Sequence, residues 1–364
     1  MKSILILANN DVGLYKFRKE LIKELIDSGN KVYISLPFGK MVLPLKEMGC
    51  EFIDTTIDRR EANPFKDIKL VLFYKNIMRK IKPDIVLTYT IKPNIYGGII
   101  CRILNIDYMP NITGLGSAVE KEGVLQKITV FLYRIALKKA KCVFFQNKHN
   151  LDFFKDRKII NSKYRLIPGS GVNLNDFNYY EYPNEQRIRF LFVARIMKEK
   201  GIDQYLEASK YITEKYPNTE FNIVGACEEE YLSILNEMSD KNIIKYYGLQ
   251  NDVRPFYKKS HCIIHPTYYP EGMSNVLLES AACGRPFITT DRSGCREIVD
   301  NGINGYIVRQ RDSKDLIEKI IEFIKLPHIE KINMGIRGRE KMQKEFDRQV
   351  VIKAYIEEIG DAKG

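Results

Sequence analysis

Residues 262–284 read CIIHPTYYPEGMSNVLLESAACG, and this stretch decides the fold. A short apolar run, Cys262–Ile264, is followed by a polar loop and then by an apolar helical pattern that ends near Cys283-Gly284. This order predicts a buried strand, a turn and a helix. Units of this kind build parallel α/β sheets.

The turn inside this stretch predicts an anion site. Gly272 permits a tight bend, so the amides that follow it would be free at a helix N-terminus, namely those of Met273, Ser274 and Asn275. A diphosphate suits such a site. Glu279 lies two helical turns after Glu271, on roughly the same face, so one carboxylate could meet a sugar and the other a ribose. A capped helix with a surface glutamate explains the spacing as well.

The same alternation of strand and helix runs through the rest of the chain. Strands are predicted at Ile4–Leu7, Val32–Leu36, Ile85–Leu87, Cys142–Gln146, Arg165–Ile167, Arg189–Val193, Glu220–Val224, Ile243–Tyr246, Pro286–Thr289 and Gly305–Val308. Residues 168–187 are loop-like and interrupt the series. We therefore expect an α/β protein of two doubly wound, Rossmann-like domains facing across a cleft.

The expected domains are residues 1–175, residues 176–345 and a C-terminal helix, 346–364, that returns to the first domain. A chain of 364 residues with 45% hydrophobic residues suits two cores. No apolar run approaches the roughly 20 residues of a membrane span. The opening residues 1–8 are too short an apolar run for a signal peptide, so they are read as a buried strand.

Cysteine content and charge point to compartment and partners. Seven cysteines, an odd number without a Cys-x-x-Cys pair, argue against a disulfide framework or zinc site and favour the cytoplasm. The net charge of +12 is uneven, with +13 in residues 1–180 and −1 in residues 181–364. A basic half suggests an anionic partner such as nucleic acid, a membrane surface or a phosphorylated substrate. Solubility alone is the other explanation.

A second segment, Val193–Gly201, carries cations at a predicted strand end. Arg195 and Lys200 flank the strand-to-helix turn, where an arginine can fork onto phosphate oxygens and a lysine supplies a point charge. An ordinary solvated loop explains the pattern too.

Together these motifs resemble the retaining GT-B glycosyltransferases of family four. The resemblance over residues 165–310 rests on the order of Arg195, Lys200-Gly201, Gly225, Tyr247-Gly248, Asp252-Val253, Glu271-x7-Glu279, Glu297 and Asn301-Gly302-x-Asn304-Gly305. The first half matches through Gly13, Phe17-Arg18, Lys92-Pro93-Asn94 and Gly169-Ser170-Gly171-Val172-Asn173. The segment Thr113-Gly114-Leu115-Gly116-Ser117 looks like a subgroup that extends lipid-linked capsule, O-antigen or glycan precursors.

The resemblance implies a role for each matching residue. Arg195 and Lys200 would hold the donor diphosphate and stabilise the leaving nucleotide, and the helix N-terminus after Gly272 would complete the phosphate cradle. Glu271 would face the donor sugar, and Glu279 would accept hydrogen bonds from the ribose. The donor set also includes Gly13, Tyr247, Gly248, Leu249, Met273, Ser274 and Asn275, with the stretch 247–249 beside the base. The acceptor set is Lys92, Thr113, Gly114 and Gly116.

One position departs from the family pattern. Many members carry a histidine near the position of Thr113-Gly114, and this chain has none there. Its four histidines are His149, His261, His265 and His328. His261 and His265 flank a core strand and are expected to be structural, which puts a catalytic histidine in doubt.

The expected reaction needs no metal and no cofactor. No Asp-x-Asp pair occurs in the sequence, so we expect cations and amides to neutralise the diphosphate. The expected partners are a UDP-sugar, a lipid-linked saccharide acceptor and an anionic membrane surface, without nucleic acid. Residues 124–141 and 75–82 carry basic stripes, which fits peripheral attachment to the inner face of the cell membrane. Two ordinary helices with solvated basic faces would give the same sequence pattern.

Two rival functions remain open from the sequence. A sugar-nucleotide 2-epimerase shares the two-domain architecture, and a non-catalytic nucleotide-sugar binder would keep the same site residues. The Glu271-x7-Glu279 spacing beside Arg195 and Lys200 weighs against the epimerase.

Overall fold

The computed structural model describes residues 1–55, 64–115, 119, 122–227 and 229–360. The chain divides into two compact units. Unit 1 comprises Met1–Ser170, Pro270–Met273 and the C-terminal segment from Gln349, and unit 2 comprises Gly171–Tyr269 and Ser274–Arg348. The first long segment of unit 1 ends at Ser170, and the four-residue loop Pro270–Met273 also groups with unit 1.

Unit 1 is a parallel sheet with helices on both faces. Its strands are β1 (Ser3–Leu7), β2 (Lys31–Leu36), β3 (Glu51–Asp54), β4 (Ile85–Tyr89), β5 (Asp107–Ile112), β6 (Val143–Phe145) and β7 (Tyr164–Leu166). Their order in the sheet is β3-β2-β1-β4-β5-β6-β7. Its helices are α1 (Asp11–Asp27), α2 (Val42–Glu47), α3 (Pro64–Ile81), α4 (Gly98–Leu104), α5 (Val124–Leu137) and α6 (Lys148–Asp156), with a π-helical segment at Pro93–Gly97.

Unit 2 repeats this architecture with fewer strands. Its strands are β8 (Ile188–Val193), β9 (Thr219–Val224), β10 (Lys245–Tyr246), β11 (Cys262–His265), β12 (Phe287–Thr290) and β13 (Gly305–Val308), in the order β10-β9-β8-β11-β12-β13. Its helices are α7 (Ile202–Lys215), α8 (Glu229–Asp240), α9 (Arg254–Lys259), α10 (Asn275–Ala282), α11 (Ser313–Lys325) and α12 (His328–Glu345), with a 3-10 turn at Lys198–Lys200.

The last helix, α13 (Arg348–Gly360), begins at the end of unit 2 and lies mostly in unit 1. Its Tyr355 is buried, stacks on Phe144 at 4.2 Å between ring centres and accepts a hydrogen bond from Asn111 at 2.6 Å. Arg165 of β7 pairs with Glu357 at 2.8 Å. Apolar burial and an ion pair thus fix this helix to the first sheet.

Two strands were not predicted from the sequence. Strand β3, EFID, is a short edge strand with an acid at each end. Strand β5, DYMPNI, contains Asp107, Pro110 and Asn111, which are residue types depleted in strands. β5 is nevertheless buried between β4 and β6, so tertiary packing overrides its weak local preference.

Candidate active site

The sheet order of unit 2 has its topological switch point between β8 and β11. These strands are neighbours, and the strand order reverses direction at this point. In open parallel sheets ligands bind beyond the carboxyl ends of the strands at such a switch point. The loop after β8 carries Arg195, and the loop after β11 begins at Pro266, so the fold brings both predicted segments to one edge.

The cations at this edge are held by a well-anchored loop. Arg195 is exposed and pairs with no carboxylate among the residues that the structure describes. The carbonyl oxygen of Glu199 accepts hydrogen bonds from the amide of Tyr268 at 2.9 Å and from Oγ1 of Thr267 at 3.3 Å. The ammonium of Lys200 lies 4.9 Å from the ring centre of Tyr269. The turn that presents both cations is therefore bonded to the next loop of the edge.

Two glycines allow these loops to approach each other. At Gly225, with φ +154, a Cβ would overlap the carbonyl oxygen of Ala194, the residue before Arg195. At Gly201, with φ +79, a Cβ would overlap the carbonyl oxygen of Pro266. Any side chain at either position would displace the segment that carries the cations.

Helix α10 begins without a side-chain cap. Its N-cap residue, Ser274, makes no capping hydrogen bond, whereas Asn10, Asn147 and Asp312 each cap the helix that follows them. The Ser274 hydroxyl is fully buried and has no partner among the described atoms. First-turn amides and a hydroxyl are thus left for a ligand, and the positive end of the helix dipole favours an anion.

The start of α10 is fixed by a motif residue, Glu297. Its carboxylate accepts hydrogen bonds from the amide of Gly294 at 2.7 Å and from the hydroxyl of Ser293 at 3.0 Å. The carbonyl oxygen of Gly294 in turn accepts the amide of Ser274 at 2.8 Å, so this amide is not free as the sequence predicted. Glu297 therefore orients the candidate anion-binding turn through the backbone of the next loop.

Glu279 is oriented by a residue that the sequence did not indicate. The Glu279 carboxylate accepts a hydrogen bond from the hydroxyl of Tyr257 at 3.1 Å. Burial raises the pKa of Tyr257 well above its usual value, so its hydroxyl stays a neutral donor. Tyr257 belongs to none of the motifs, and its contact with Glu279 becomes visible only in the structure, because it joins α9 to α10.

The segment 247–249 forms an exposed rim at the end of β10. Gly248 has φ +68, and its carbonyl oxygen accepts the amide of Gly225 at 2.9 Å. The Tyr247 ring contacts Phe256 edge-on at 5.0 Å, and its hydroxyl bonds to Asn222 at 3.1 Å. Leu249 is largely exposed. This rim lies at the same sheet edge as Arg195.

Other motif residues of unit 2 shape turns and the core. Asn304 accepts the amide of Asp300 at 2.8 Å and donates to the carbonyl oxygen of Ile298 at 3.1 Å. His261 and His265 are both buried, and Nδ1 of His261 accepts the amide of Arg189 at 3.1 Å. Burial lowers the pKa of His261 to about 4, which keeps it neutral at physiological pH.

In unit 1 the corresponding switch point lies between β1 and β4. After β1, Gly13 donates its amide to the Asn10 side chain at 2.5 Å in the first turn of α1. After β4, Thr90 adopts φ +74, which is rare for a β-branched residue, and the π-helical segment follows. Both features are frequent at functional sites. Lys92 pairs with Asp67 at 2.8 Å, and the Tyr96 hydroxyl donates to the same carboxylate at 2.9 Å.

The loop that carries Glu271 packs against the carboxyl edge of the first sheet. The Asn147 amide donates to the carbonyl oxygen of Gly272 at 2.5 Å. A Cβ on Gly272 would overlap the Thr113 carbonyl oxygen and the Gln146 side chain. Gly114, at φ +152, lies against the same loop. Four predicted site residues, Thr113, Gly114, Glu271 and Gly272, are therefore neighbours, and Gln146 and Asn147 join them.

Asn147 could have been found from the sequence, because a side-chain amide between a strand and a helix is a capping signal. Gly116 lies outside the described residues.

Among the residues that are described, no group of three His, Cys, Asp or Glu side chains could hold a metal ion. No helix in the described ranges is long and apolar enough to cross a membrane.

Comparison with known proteins identifies the family. A model of glycosyl transferases group 1 matches residues 181–341, and a glycosyl transferase 4-like model matches residues 3–147. The two matches together span most of the chain, which belongs to the GT-B glycosyltransferases of the family-four type. Anabaena HepE, solved in complex with UDP and glucose, shares the fold with a TM-score of 0.80 at 16% identity, covering 100% of both chains.

The names of two similar proteins state which sugar they transfer and to which acceptor. The chain is 23% identical to the N,N'-diacetylbacillosaminyl-diphospho-undecaprenol alpha-1,3-N-acetylgalactosaminyltransferase of Campylobacter jejuni, with 96% of each chain covered. It is 26% identical to the UDP-Gal:alpha-D-GlcNAc-diphosphoundecaprenol alpha-1,3-galactosyltransferase of Escherichia coli, with 72% of each covered. The expected class, a glycosyltransferase of the polysaccharide and lipid-linked type with a GT-B fold, is confirmed.

Proposed function

We propose that the protein transfers a hexose or N-acetylhexosamine from a UDP-sugar to a saccharide carried on undecaprenyl diphosphate, in the synthesis of a cell-surface polysaccharide or glycan. The observation that carries the proposal is the uncapped N-terminus of α10 with its buried, unpartnered Ser274 hydroxyl. This turn and the cations Arg195 and Lys200 suit a diphosphate.

Most of the proposed donor contacts involve residues of unit 2, whose geometry supports them. Arg195, Lys200 and the first-turn amides of α10 bind the diphosphate, and Glu279, oriented by Tyr257, accepts hydrogen bonds from the ribose. The rim Tyr247-Gly248-Leu249 lies beside the base, and Glu271 faces the donor sugar. The proposed donor set also includes Gly13.

The proposed reaction retains the configuration of the donor sugar. As the bond to the nucleotide breaks, positive charge develops at the anomeric carbon and negative charge on the departing β-phosphate. Fixed cations and amides stabilise that negative charge without reorganising. The departing phosphate takes the proton of the acceptor hydroxyl from the same face, so no protein base is required.

The proposed acceptor residues are Lys92, Thr113 and Gly114, which follow strands of the first sheet, together with Gly116, which lies outside the described residues. The names of the two relatives support a lipid-linked diphosphate acceptor, and they favour UDP-N-acetylgalactosamine or UDP-galactose as donor and an α linkage. An acceptor of this kind resides in a membrane, so we place the enzyme in the cytoplasm, peripherally attached to the inner face of the cell membrane.

A panel of UDP-, GDP- and ADP-sugars tests the donor assignment. A ligand that binds only the folded state raises its melting temperature, and we expect the shift to be largest for a UDP-sugar. Incubation of the best donor with a diphosphate-linked saccharide then separates three functions. Transfer supports the proposal, whereas interconversion of the nucleotide sugar would indicate an epimerase, and binding without turnover would indicate a non-catalytic partner.

Activity should not depend on a divalent metal, because in this proposal Arg195 and Lys200 neutralise the diphosphate. With a soluble acceptor, a chelator should leave turnover within about twofold. Loss of turnover that manganese or magnesium restores would reject this mechanism.

A further inference from the structure

We infer that a cavity at the amino edge of the first sheet binds a small molecule that carries a phosphate group. The cavity belongs to unit 1 and has a volume of about 410 Å³. Small-molecule sites typically enclose about 300–1,000 Å³, so the cavity can hold a ligand larger than a bare ion. Six charged side chains line it, namely Arg102, Lys139, Lys141, Lys163, Asp107 and Glu358.

The cavity lies at the opposite end of the strands from the candidate acceptor residues. Asp107 is the first residue of β5, and Lys163 directly precedes β7, which runs parallel to β5 in the same sheet. Thr113 follows the other end of β5. A strand rises by about 3.3 Å per residue, so the 6 residues of β5 separate Asp107 from Thr113 by about 20 Å. The cavity is therefore distinct from the site at the carboxyl edge.

The fold brings positive charge to the cavity from separate segments. Arg102 comes from the last turn of α4, and Lys163 comes from the loop before β7. Lys139 and Lys141 follow the end of α5. Four cations thus meet two carboxylates at one concave site. A cleft with an excess of one charge raises the local concentration of ligands of the opposite sign.

The two carboxylates compensate only part of this charge. Glu358 is 3% exposed and lies 2.8 Å from the Lys163 ammonium. It also lies 3.3 Å from Arg165, which does not line the cavity, so its charge is shared. The Asp107 carboxylate is 3.9 Å from the Lys141 ammonium, which is beyond hydrogen-bond distance. An anionic ligand would add the negative charge that these carboxylates do not supply.

The ends of neighbouring helices explain one of the cations. A cation is favourable near a helix C-terminus, and Nη1 of Arg102 donates to the carbonyl oxygen of Ile135, in the last turn of α5, at 3.0 Å. Lys163 lies before a strand, where this explanation does not apply. Lys139 is exposed, and its ammonium forms no ion pair or hydrogen bond with the side chains that the structure describes. Lys139 is therefore the cation that the fold itself leaves for a ligand.

The lining of the cavity suits a phosphate on a polar body. Lysine and arginine side chains form strong, charge-assisted hydrogen bonds with phosphate oxygens. Asn105 adds an exposed side-chain amide, and Ile106 makes part of the wall apolar. A sugar phosphate matches this mixture, since its anionic group can meet the lysines while its hydroxyl groups meet the amide and Asp107.

The test is isothermal titration calorimetry of the full chain with glucose 6-phosphate, a sugar phosphate that lacks a nucleotide. Lys139→Glu should raise the Kd by about tenfold or more, because it replaces an attractive charge with a repulsive one. Lys353→Glu is the matched control, since it changes the net charge equally at an exposed position of α13 outside the cavity. It should bind the probe as the parent does. Both positions are exposed, so unfolding temperatures should stay close to that of the parent.

The assay needs no turnover, so its failure is distinguishable from failure of the proposed function. Arg195→Ala should bind glucose 6-phosphate as the parent does, whereas loss of binding in this variant would assign the probe to the other edge and overturn the inference. Equal weakening by Lys139→Glu and Lys353→Glu would overturn it too, as would the absence of binding to the parent at millimolar probe.

A phosphate can also come from a lipid headgroup, so a second arm uses vesicles of phosphatidylglycerol. Pelleting with these vesicles should be the same for Lys139→Glu and Lys353→Glu if the cavity takes a soluble ligand. Pelleting that only Lys139→Glu abolishes, without binding of glucose 6-phosphate to the parent, would assign the cavity to a headgroup and overturn the inference.

Discussion

The two units share a sheet order but present different chemistry at their carboxyl edges. The central orders β2-β1-β4-β5 in unit 1 and β9-β8-β11-β12 in unit 2 follow the same pattern. The edge of unit 2 carries cations on bonded loops and an uncapped helix start. The edge of unit 1 carries a capped helix at Asn10, a left-handed Thr90 and buried amides. We therefore propose that the same scaffold supports a nucleotide site in one unit and a saccharide site in the other.

The buried amides of unit 1 form a connected chain. Gln146 donates to Asn111 at 3.1 Å, and Asn111 donates to Tyr355 at 2.6 Å. Satisfied networks of this kind rigidify a core. The edge of unit 1 is thus held by side-chain amides, whereas the loops at the edge of unit 2 are held by backbone contacts at glycines and by Glu297.

The proposed difference between the carboxyl edges of the two units is tested most strongly by a substitution at Arg195. Arg195→Ala should reduce turnover by a hundredfold or more, about 3 kcal/mol, because the developing charge on the leaving phosphate loses its counter-ion. Thermal unfolding should barely change, since Arg195 is exposed. Lys198→Ala, an exposed neighbour, is the control. Near-normal turnover in folded Arg195→Ala protein would remove Arg195 from the site.

The close approach of the loops in unit 2 is tested at Gly225. Gly225→Ala should lower the free energy of unfolding by about 3 kcal/mol, because the new methyl group overlaps the Ala194 carbonyl and the backbone is strained. Gly302 also has positive φ but nothing within 4 Å of its Cβ position, so Gly302→Ala measures the strain alone. Equal losses in the two variants, measured by denaturant titration, would show that the overlap relaxes.

A buried histidine should make unit 2 sensitive to acid. Because the folded pKa of His261 is lowered from 6.5 to about 4, the folded state disfavours the protonated form. Its contribution is fully present above pH 6.5 and is lost as the pH falls toward 4, by up to about 3 kcal/mol. His261→Asn should flatten the dependence of unfolding on pH in this window. An unaltered pH profile would refute the assignment.

The smallest expected effect concerns the positioning of Glu279. Tyr257→Phe removes one hydrogen bond, so the KM for the donor should rise by about fivefold while kcat changes little, since the ribose does not react. Tyr205→Phe removes a comparable buried hydrogen bond, to the carbonyl oxygen of Asn222, and serves as the control. A similar rise in KM for both variants would mean that Tyr257 only stabilises the fold.

Much of the fold could be read from local patterns. Apolar runs such as Phe190–Val193 are buried on both sides of a parallel sheet, so their strand signal is strong. The apolar-run pattern does not predict β5, because this strand contains a proline and two polar residues that are held in place by neighbouring strands. Pro270–Met273 also could not be assigned to unit 1 in advance, because its partners Thr113, Gln146 and Asn147 lie more than 120 positions away along the chain.

The sequence by itself determined the class of fold, the order of its elements and the residues at the strand ends, because these depend on hydrophobic period and on turn-forming residue types. Only the tertiary structure decided which side chains hold the site in place. Tyr257 reaches Glu279, and Glu297 reaches Ser274 through Gly294, by contacts between elements that are distant in the chain. No local pattern encodes such contacts, since they arise when parallel strands bring separate loops to one edge of a sheet.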